Sequence, residues 1–335
     1  MKRVLKTSAG LTLAVIAISL AAIICQAQSG WTSKRIGSGG KDLNAVYFTD
    51  AKHGWAGGDS GFLCHTEDGG ATWAERPIGT EHSINDIYFV SKDAGFVLAG
   101  GSIFRTDDGG QSWSESQKFS PSEFADAAPE LYSLRFNGKK RGWVVGSVSR
   151  RVVGPTGRRD VIENSILAIT RDGGATWELL HAPTQQELIH IAFVNEKHAW
   201  IVGAGGTILH TDDAGDSWTK QNSQTTETLY HVDFRNEKQG WAVGEEGVIV
   251  LTIDGGRNWT KVDSPVRSIL LSVQFVGEGD GWIVGHGGVI LRSGDGGRTW
   301  IEQESTTKQN LYALFMNKKN GWAVGTDGLI LRYER

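Results

Sequence analysis

The amino-acid sequence predicts an all-β protein, a seven-bladed β-propeller of four-stranded antiparallel blades. An Asp-Gly turn closed by a tryptophan, as in TIDGGRNW, occurs six times, and the last four copies are 41 residues apart. The same spacing separates the leucines that open four successive repeats. The 45 glycines, 13 tryptophans and only 6 prolines favour short strands and tight turns. A repeat of about 41 residues is typical of a propeller blade.

One repeat, residues 229–269, illustrates the four strands of a blade. LYHVDF alternates apolar and polar residues as a strand does, NEKQG is typical of a turn, and WAVG predicts a second short strand. EEG predicts a tight turn before a third strand, VIVLT, and IDGGRN predicts a turn before a fourth strand, WTKVDS. Four antiparallel strands in this length make one blade.

The repeat begins seven times along the chain, which predicts seven blades. The predicted blade starts are Leu43, Ile84, Leu131, Leu188, Leu229, Leu270 and Leu311. The seventh repeat stops at GLILRYER after three strands, whereas GWTSKRI, residues 30–36, is similar to the fourth strands elsewhere. We therefore expect the N-terminal strand to complete blade 7, because an open ring would expose unpaired strand edges.

The six Asp-Gly segments resemble the Asp box of sialidase-type repeats, and we interpret them as structural. An Asp side chain bonds its own backbone two residues on, Gly supplies the positive φ of a tight hairpin, and Trp buries a large apolar face. Calcium loops are the weaker alternative, because the alternating acids and distant Glu are absent. The predicted structural pairs are Asp68 and Trp73, Asp108 and Trp113, Asp172 and Trp177, Asp213 and Trp218, Asp254 and Trp259, and Asp295 and Trp300.

The first 27 residues predict a signal peptide, which leaves residues 28–335 for the propeller. A basic start, MKRVLK, precedes the apolar run AGLTLAVIAISLAAII, and CQA offers the small residues that a signal peptidase reads before cleavage after Ala27. A retained membrane anchor and lipidation of Cys25 are the two alternatives. The protein is therefore expected to be exported, in the periplasm or, in a photosynthetic host, in the thylakoid lumen.

The charge balance argues against nucleic acid as a partner. Loss of the three cations of the signal peptide changes the formal net charge from −4 to −7. Phosphate binding relies on a basic face, which an acidic propeller lacks overall.

Departures from the repeat are expected on the face opposite the Asp boxes. Blade 3 carries the insertion SVSRRVVGPTGRRDVIENS, residues 147–165, and a long linker, residues 114–130, precedes this blade. Loops on a rigid scaffold often carry binding residues, and arginine suits carboxylates and phosphates. The predicted partner-binding residues are Arg150, Arg151, Arg158 and Arg159. The alternative is a solvated hairpin that contributes only solubility.

The corresponding turns of other blades are acidic, at Asp59, Glu245, Glu246 and Asp327, so this face is expected to be polarised.

No catalytic residue, metal site or cofactor is predicted. A sialidase site needs three arginines converging on one carboxylate, but Arg35 falls on the predicted outermost strand and the insertion arginines crowd one blade. A propeller glycosidase would need paired carboxylates at the channel. Asp59, Asp233, Glu245 and Asp327 could supply such a pair, whereas acids on turns are ordinarily solvated. His190 and His231 hold equivalent inner-strand positions, which is explained by a polar channel lining.

The repeat GWAVGxxGxIL with TxDGGxxW, the seven blade starts and the terminal GLILRYE resemble the exported photosystem II stability and assembly factor family, over residues 30–335. The resemblance implies a non-catalytic, chaperone-like factor that holds a newly made membrane subunit, with a basic surface patch taking part. The arginine-rich insertion is similar to such a patch. In a host without photosystem II, an exported scaffold that binds another protein near the membrane is expected.

Two functions are therefore considered. The first is an assembly factor whose insertion binds a protein partner, a subunit of a membrane complex. The second is a carbohydrate-binding or glycoside-hydrolysing propeller, for which a glycan would be the partner. The turns predicted at the channel mouth hold almost no aromatic residue, which favours the first function.

Overall fold

The computed structural model describes residues 30–37, 39–154 and 157–334, so the predicted signal peptide, residues 1–27, lies outside the described residues. The described strands form seven four-stranded antiparallel sheets. The predicted seven-bladed, all-β fold is therefore confirmed. In the part of the chain that the structure describes, the helices are short 3₁₀ turns, and none could cross a membrane.

The strands follow the chain order within each blade, from the central channel outward, except that β1 (Trp31–Arg35) lies outermost in the last blade. The remaining strands are β2 (Leu43–Phe48), β3 (Gly54–Gly58), β4 (Leu63–Thr66) and β5 (Ala74–Glu75) in blade 1; β6 (Ile84–Phe89), β7 (Gly95–Ala99), β8 (Ser102–Thr106) and β9 (Ser114–Lys118) in blade 2; β10 (Ala128–Asn137), β11 (Arg141–Gly154), β12 (Gly157–Thr170) and β13 (Glu178–Leu179) in blade 3; β14 (Leu188–Phe193), β15 (Ala199–Gly203), β16 (Thr207–Thr211) and β17 (Thr219–Asn222) in blade 4; β18 (Leu229–Phe234), β19 (Gly240–Gly244), β20 (Ile249–Thr252) and β21 (Thr260–Val262) in blade 5; β22 (Leu270–Val276), β23 (Asp280–Gly285), β24 (Ile290–Ser293) and β25 (Ile301–Glu302) in blade 6; and β26 (Leu311–Met316), β27 (Asn320–Gly325) and β28 (Leu329–Glu334) in blade 7.

The ring is closed by the N-terminal strand. β1 pairs antiparallel with β28, from Trp31 opposite Tyr333 to Arg35 opposite Leu329. The interface between blades 7 and 1 is also hydrogen-bonded, because the indole Nε1–H of Trp322 donates to the carbonyl oxygen of Gly69 at 3.1 Å. Because the ring is closed, blades 7 and 1 pack against each other and neither leaves its sheet uncovered.

The core is divided among the seven interfaces between blades. Each interface holds one cluster of buried apolar side chains. At several of them an aromatic ring from the second strand of one blade stacks on a phenylalanine at or next to the end of the first strand of the next blade. The ring centroids are 3.6 Å apart for Trp200 and Phe234 and 3.5 Å apart for Trp241 and Phe275. Such stacking stabilises the ring beyond simple burial of area.

The two faces of the ring carry different turns. On the Asp-box face, the Asp-box segments hydrogen-bond the turn between the first two strands of their own blade, as Gly109 N–H does to Asp93 O at 2.8 Å. On the opposite face, which we name the insertion face, the turn between the second and third strands hydrogen-bonds the linker that enters the blade, as Glu245 N–H does to Thr228 O at 3.0 Å. Every innermost strand therefore begins at the insertion face.

Five blades use a 3₁₀ turn between the second and third strands, and a sixth 3₁₀ turn, Pro121–Phe124, lies in the linker between blades 2 and 3. The five are Asp59–Gly61, Ala204–Gly206, Glu245–Gly247, His286–Gly288 and Thr326–Gly328. The final glycine is required, because its φ is positive, 70° at Gly247, and a Cβ there would clash with the Val266 carbonyl oxygen.

Each Asp-box segment is held by one small network of hydrogen bonds. In blade 2, Thr106 Oγ1 donates to Asp108 Oδ1 at 2.7 Å and accepts from Gly110 N–H at 2.8 Å. Ser112 Oγ donates to Asp108 Oδ2 at 2.6 Å, and these bonds lower the pKa of Asp108 to about 2. The other five segments repeat the pattern. Within the described ranges, no group of acidic, histidine or cysteine side chains could hold a metal ion.

Candidate binding face

Blade 3 differs from the other blades on the insertion face. Its strands β11 and β12 are each 14 residues long, whereas the second and third strands of the other blades have four to six residues. The extra length forms a β-hairpin within the predicted insertion, residues 147–165, and we name its described part, residues 147–154 and 157–165, the blade 3 hairpin. Residues 157–164 are all exposed, so the hairpin projects from the propeller into solvent.

The linker that precedes blade 3 lies beside the hairpin. The start of β10 pairs with β11, with Ala128 opposite Ser149. Beyond this pair, the guanidinium Nη2 of Arg150 donates to the carbonyl oxygen of Ala125 at 2.6 Å. The linker therefore supports one edge of the hairpin as far as Arg150.

The four arginines of the hairpin fall into two classes. Arg150 pairs with Glu163 at 2.7 Å, and Arg151 pairs with Asp160 at 3.0 Å, so carboxylates of the hairpin itself neutralise both. Arg158 and Arg159 are exposed, and we find no hydrogen bond or ion pair between them and other described residues. The positive charge available to a partner is therefore centred on Arg158 and Arg159.

The strand register also separates these side chains. Arg150 stands opposite Val161, Arg151 opposite Asp160, Val152 opposite Arg159, and Val153 opposite Arg158. Opposed residues share a face and neighbours along a strand alternate. Arg158 and Arg159 consequently lie on opposite faces of the hairpin, and the four guanidinium groups do not form one patch.

Apolar side chains accompany the arginines. Val153 is 79% exposed, Val161 36% and Ile162 38%. Few large apolar side chains of the described chain are so exposed, and three of them cluster on this one element. Exposed apolar groups rimmed by charge are typical of interaction sites.

The inner strands supply aromatic residues to the channel mouth on the insertion face. Tyr132, Tyr230 and Tyr312 each follow the leucine that starts a repeat, on an innermost strand, and they line a cavity of about 330 Å³. The five 3₁₀ turns between second and third strands contain no aromatic residue, in line with the sequence, and the tyrosines come from the inner strands, which the sequence-based comparison of the turns did not include. Tyr230 donates to Glu245 at 3.1 Å and Tyr312 donates to Asp42 at 2.9 Å, so these hydroxyls also tie the mouth together.

A buried polar network crosses the middle of the channel. Arg135 pairs with Asp86 at 2.6 Å and contacts His190 Nε2 at 3.0 Å, and the rings of His190 and His231 stack at 3.7 Å. These four side chains line both the cavity at the mouth and a second cavity of about 290 Å³, so they divide the channel in two.

The protonation state of this network follows from its partners. Burial lowers the pKa of His231 to about 3 and holds the pKa of His190 well below its ordinary value. A guanidinium group can only donate, so His190 Nε2 accepts from Arg135 and the proton of the neutral ring lies on Nδ1. Burial also raises the pKa of Asp86, which the charge of Arg135 opposes. The network is consistent with the polar channel lining expected for His190 and His231.

The acids considered as a catalytic pair each contact a structural neighbour. The contacts are Asp59 with Ser83 Oγ at 3.0 Å, Glu245 with the Tyr230 hydroxyl, and Asp327 with Arg35 in an ion pair. Asp233 lies apart from these turn residues, on the inner strand β18, where its Oδ2 accepts from Phe275 N–H at 2.8 Å and burial raises its pKa to about 6. The structure therefore does not bring Asp233 together with the turn acids.

Arg135 and Asp86 are not among the residues predicted from the sequence. Both occupy channel-facing positions of innermost strands, at the fifth and third residues of LYSLRF and INDIYF. Aligning the seven inner strands would have placed Asp86, His190 and His231 at one channel-facing position of the repeat and Arg135 at the next such position.

The second half of the chain matches the family model described as photosynthesis system II assembly factor YCF48, over residues 169–267 and 266–334. A curated relative, the photosystem II assembly lipoprotein Ycf48 of Synechococcus sp. (strain CC9902), is 25% identical over 167 residues. This match covers 49% of the chain and 43% of the relative, so it spans less than half of the relative's length.

Two solved structures resemble the whole propeller. YCF48 bound to D1 peptide has a TM-score of 0.72 and 22% identity, covering 91% of this chain and 95% of that one. YCF48 from Cyanidioschyzon merolae has a TM-score of 0.70 and 21% identity, covering 91% and 98%. At these identities the structural likeness shows the fold, and enzyme propellers share it more distantly. With the match to the family model, the resemblance seen in the repeats is confirmed: the chain is similar to the photosystem II assembly factor family of seven-bladed propellers.

Proposed function

We propose that this protein is a non-catalytic, exported assembly factor that binds a subunit of a membrane protein complex through the blade 3 hairpin. The observation that carries the proposal is the hairpin itself, which projects from the insertion face and presents Arg158 and Arg159 without a carboxylate partner among the described residues. In a photosynthetic host the partner is a photosystem II subunit.

The related proteins support a protein partner. One relative is described as bound to D1 peptide, and another is described as a photosystem II assembly lipoprotein. The latter description also supports export and association with a membrane, and it favours lipidation of Cys25 over the cleavage after Ala27 expected from the sequence.

The channel supports a non-catalytic function. A glycosidase needs two carboxyl groups free to act as acid and as nucleophile or base. In the channel, Arg135 neutralises Asp86, and Asp233 is bonded to the backbone of the next blade. The three tyrosines of the mouth would suit a sugar, but two of their hydroxyls are engaged by rim carboxylates.

The experiment is an affinity capture from detergent-solubilised membranes of the source organism, with recovered proteins identified by mass spectrometry. Wild type is compared with R158E/R159E, which reverses the two exposed charges. The matched control is R257E/R298E, which makes the same change of charge with two exposed Asp-box arginines on the opposite face.

We expect wild type and the control to capture the same membrane subunit and R158E/R159E to lose it. Equal capture by all three proteins would overturn the hairpin as the binding site. Absence of any membrane subunit from the wild-type capture would overturn the assembly function itself, and a hydrolase screen would then test the glycan alternative.

A further inference from the structure

The outer edge of β12 is open where the blade 3 hairpin leaves the propeller. Within the described chain, β12 pairs with β13 only at Ala168 and Ile169. Residues 157–164 of the same strand are exposed and have β11 on their inner side alone. The outward-facing backbone N–H and C=O groups of this stretch therefore have no strand partner in the part of the chain that the structure describes.

The opposite edge of the hairpin is different. The linker pairs with β11 at Ala128 and Ser149, and Arg150 extends this support to Ala125. A partner that adds a strand would therefore find the longer free edge on β12.

Two physical arguments favour this edge as a binding surface. A two-stranded ribbon with both faces in water is only marginally stable, so an added strand would stabilise it. An open edge also offers a row of donors and acceptors for an extended segment, whose main-chain bonds provide affinity while alternate side chains provide specificity.

We infer that β12 takes up an extended acidic segment of the partner as an added strand along Arg158–Glu163. This inference rests on the proposed function and specifies the chemistry of the partner. An added strand places successive side chains on opposite faces, so adjacent acidic residues would meet Arg158 on one face and Arg159 on the other. β-branched residues at the other positions would pack on Val161 and Ile162, which are exposed side chains of β12 itself.

The first test uses a synthetic, end-capped peptide in which glutamates and valines are mixed, with two glutamates adjacent. Amide hydrogen exchange of the full chain is followed residue by residue with and without the peptide. We expect alternate amides between Arg158 and Glu163 to become protected, since only every second N–H of an edge strand points outward. Protection confined to other parts of the propeller, or none at this edge, would overturn the inference.

The second test separates backbone pairing from simple charge attraction. A peptide of the same sequence, N-methylated at alternate residues, keeps its charge and loses the donors of one edge. We expect its affinity to fall at least about tenfold, a change of about 1.4 kcal/mol. Equal affinity for both peptides would overturn strand addition, while loss of binding by R158E/R159E would still support the charge-based site.

The remaining outcomes distinguish this inference from the function on which it rests. Loss of membrane-subunit capture by R158E/R159E without protected β12 amides would leave the assembly function standing and reject strand addition. Protected β12 amides with no captured subunit would leave the edge site standing and reject the assembly function. Edge protection that depends on protein concentration without peptide would assign the edge to a second copy of this chain and overturn the acidic partner.

Discussion

Gly297, in the Asp-box segment of blade 6, lies directly against the indole ring of Trp241, in the second strand of blade 5. A Cβ at Gly297 would overlap the Nε1 atom of that ring. Gly110 and Gly215, at the same position of the Asp boxes in blades 2 and 4, meet Trp55 and Trp143 of the preceding blades in the same way. The two recurring features of the sequence, the Asp-Gly turn and the strand-two tryptophan, are thus two halves of one contact between blades.

We expect the substitution G297A to destabilise the propeller by about 2–4 kcal/mol, because it adds an overpacked methyl group to a residue with positive φ. The matched control is G294A, because Gly294 is exposed and a Cβ there would meet nothing within 4 Å. Urea unfolding of both variants measures the difference. Equal midpoints for the two variants would contradict the interblade contact.

The ion pair in the channel predicts that removing one partner destabilises the protein more than removing both. The side chains of Asp86 and Arg135 are 14% and 24% exposed, so removing one leaves a largely buried charge without its partner. We expect D86A to cost about 2–3 kcal/mol and D86A/R135M to recover most of that loss. Chemical denaturation of the single variants and the double variant measures the coupling. Additive losses would show that the pair contributes no interaction energy.

The Asp-box aspartates predict a loss of stability in acid. Hydrogen bonds to the ionised carboxylates lower the pKa of Asp68, Asp108, Asp213 and Asp295 to about 2. Because the folded pKa lies below the unfolded value, this stabilisation is fully present above about pH 4 and is lost as the pH falls toward 2. Unfolding midpoints between pH 5 and pH 2 should fall for wild type and fall less steeply for D108N. Identical slopes would show that Asp108 does not contribute.

Asp233 predicts a pH dependence of the opposite sign. Burial raises its pKa to about 6, so its contribution favours the folded state below about pH 4 and is lost as the pH rises through 6. An asparagine can still accept from Phe275 N–H without a charge. D233N should therefore match wild type near pH 4 and exceed its stability at pH 7 by on the order of 1–2 kcal/mol. Thermal unfolding at both pH values tests this, and a variant less stable than wild type at pH 7 would contradict the assignment.

The blade 3 hairpin should be separable from the propeller. Residues 157–164 are exposed and belong to none of the seven buried clusters, so joining Val148 to its strand partner Asn164 through Asn-Gly should preserve the register and the fold. We expect Tm to change by less than about 3 °C. Calorimetry of the shortened protein is the measurement. A large fall in Tm would show that the hairpin is part of the core.

Local features of the fold could be predicted because they are encoded within single repeats. The alternation of LYHVDF, the Asp-Gly turns and the 41-residue spacing determine strands and hairpins through backbone preferences that act over a few residues. The strand order and the N-terminal closure of blade 7 then follow from pairing every edge. For the same reason the sequence located the insertion and identified its four arginines.

The contacts of the channel and the free charges of the hairpin depend on ring closure and strand register. Arg135 meets Asp86 and His190 from blades 2 and 4 only because the ring brings inner strands together, which no local preference encodes. The register of β11 and β12 neutralised Arg150 and Arg151 and set Arg158 and Arg159 on opposite faces. The sequence by itself determined the repeating blade and the position of its interruption. The tertiary structure decided which charges remain free. An ion pair depends on the distance between two side chains, and the pairing of strands and the packing of blades set that distance.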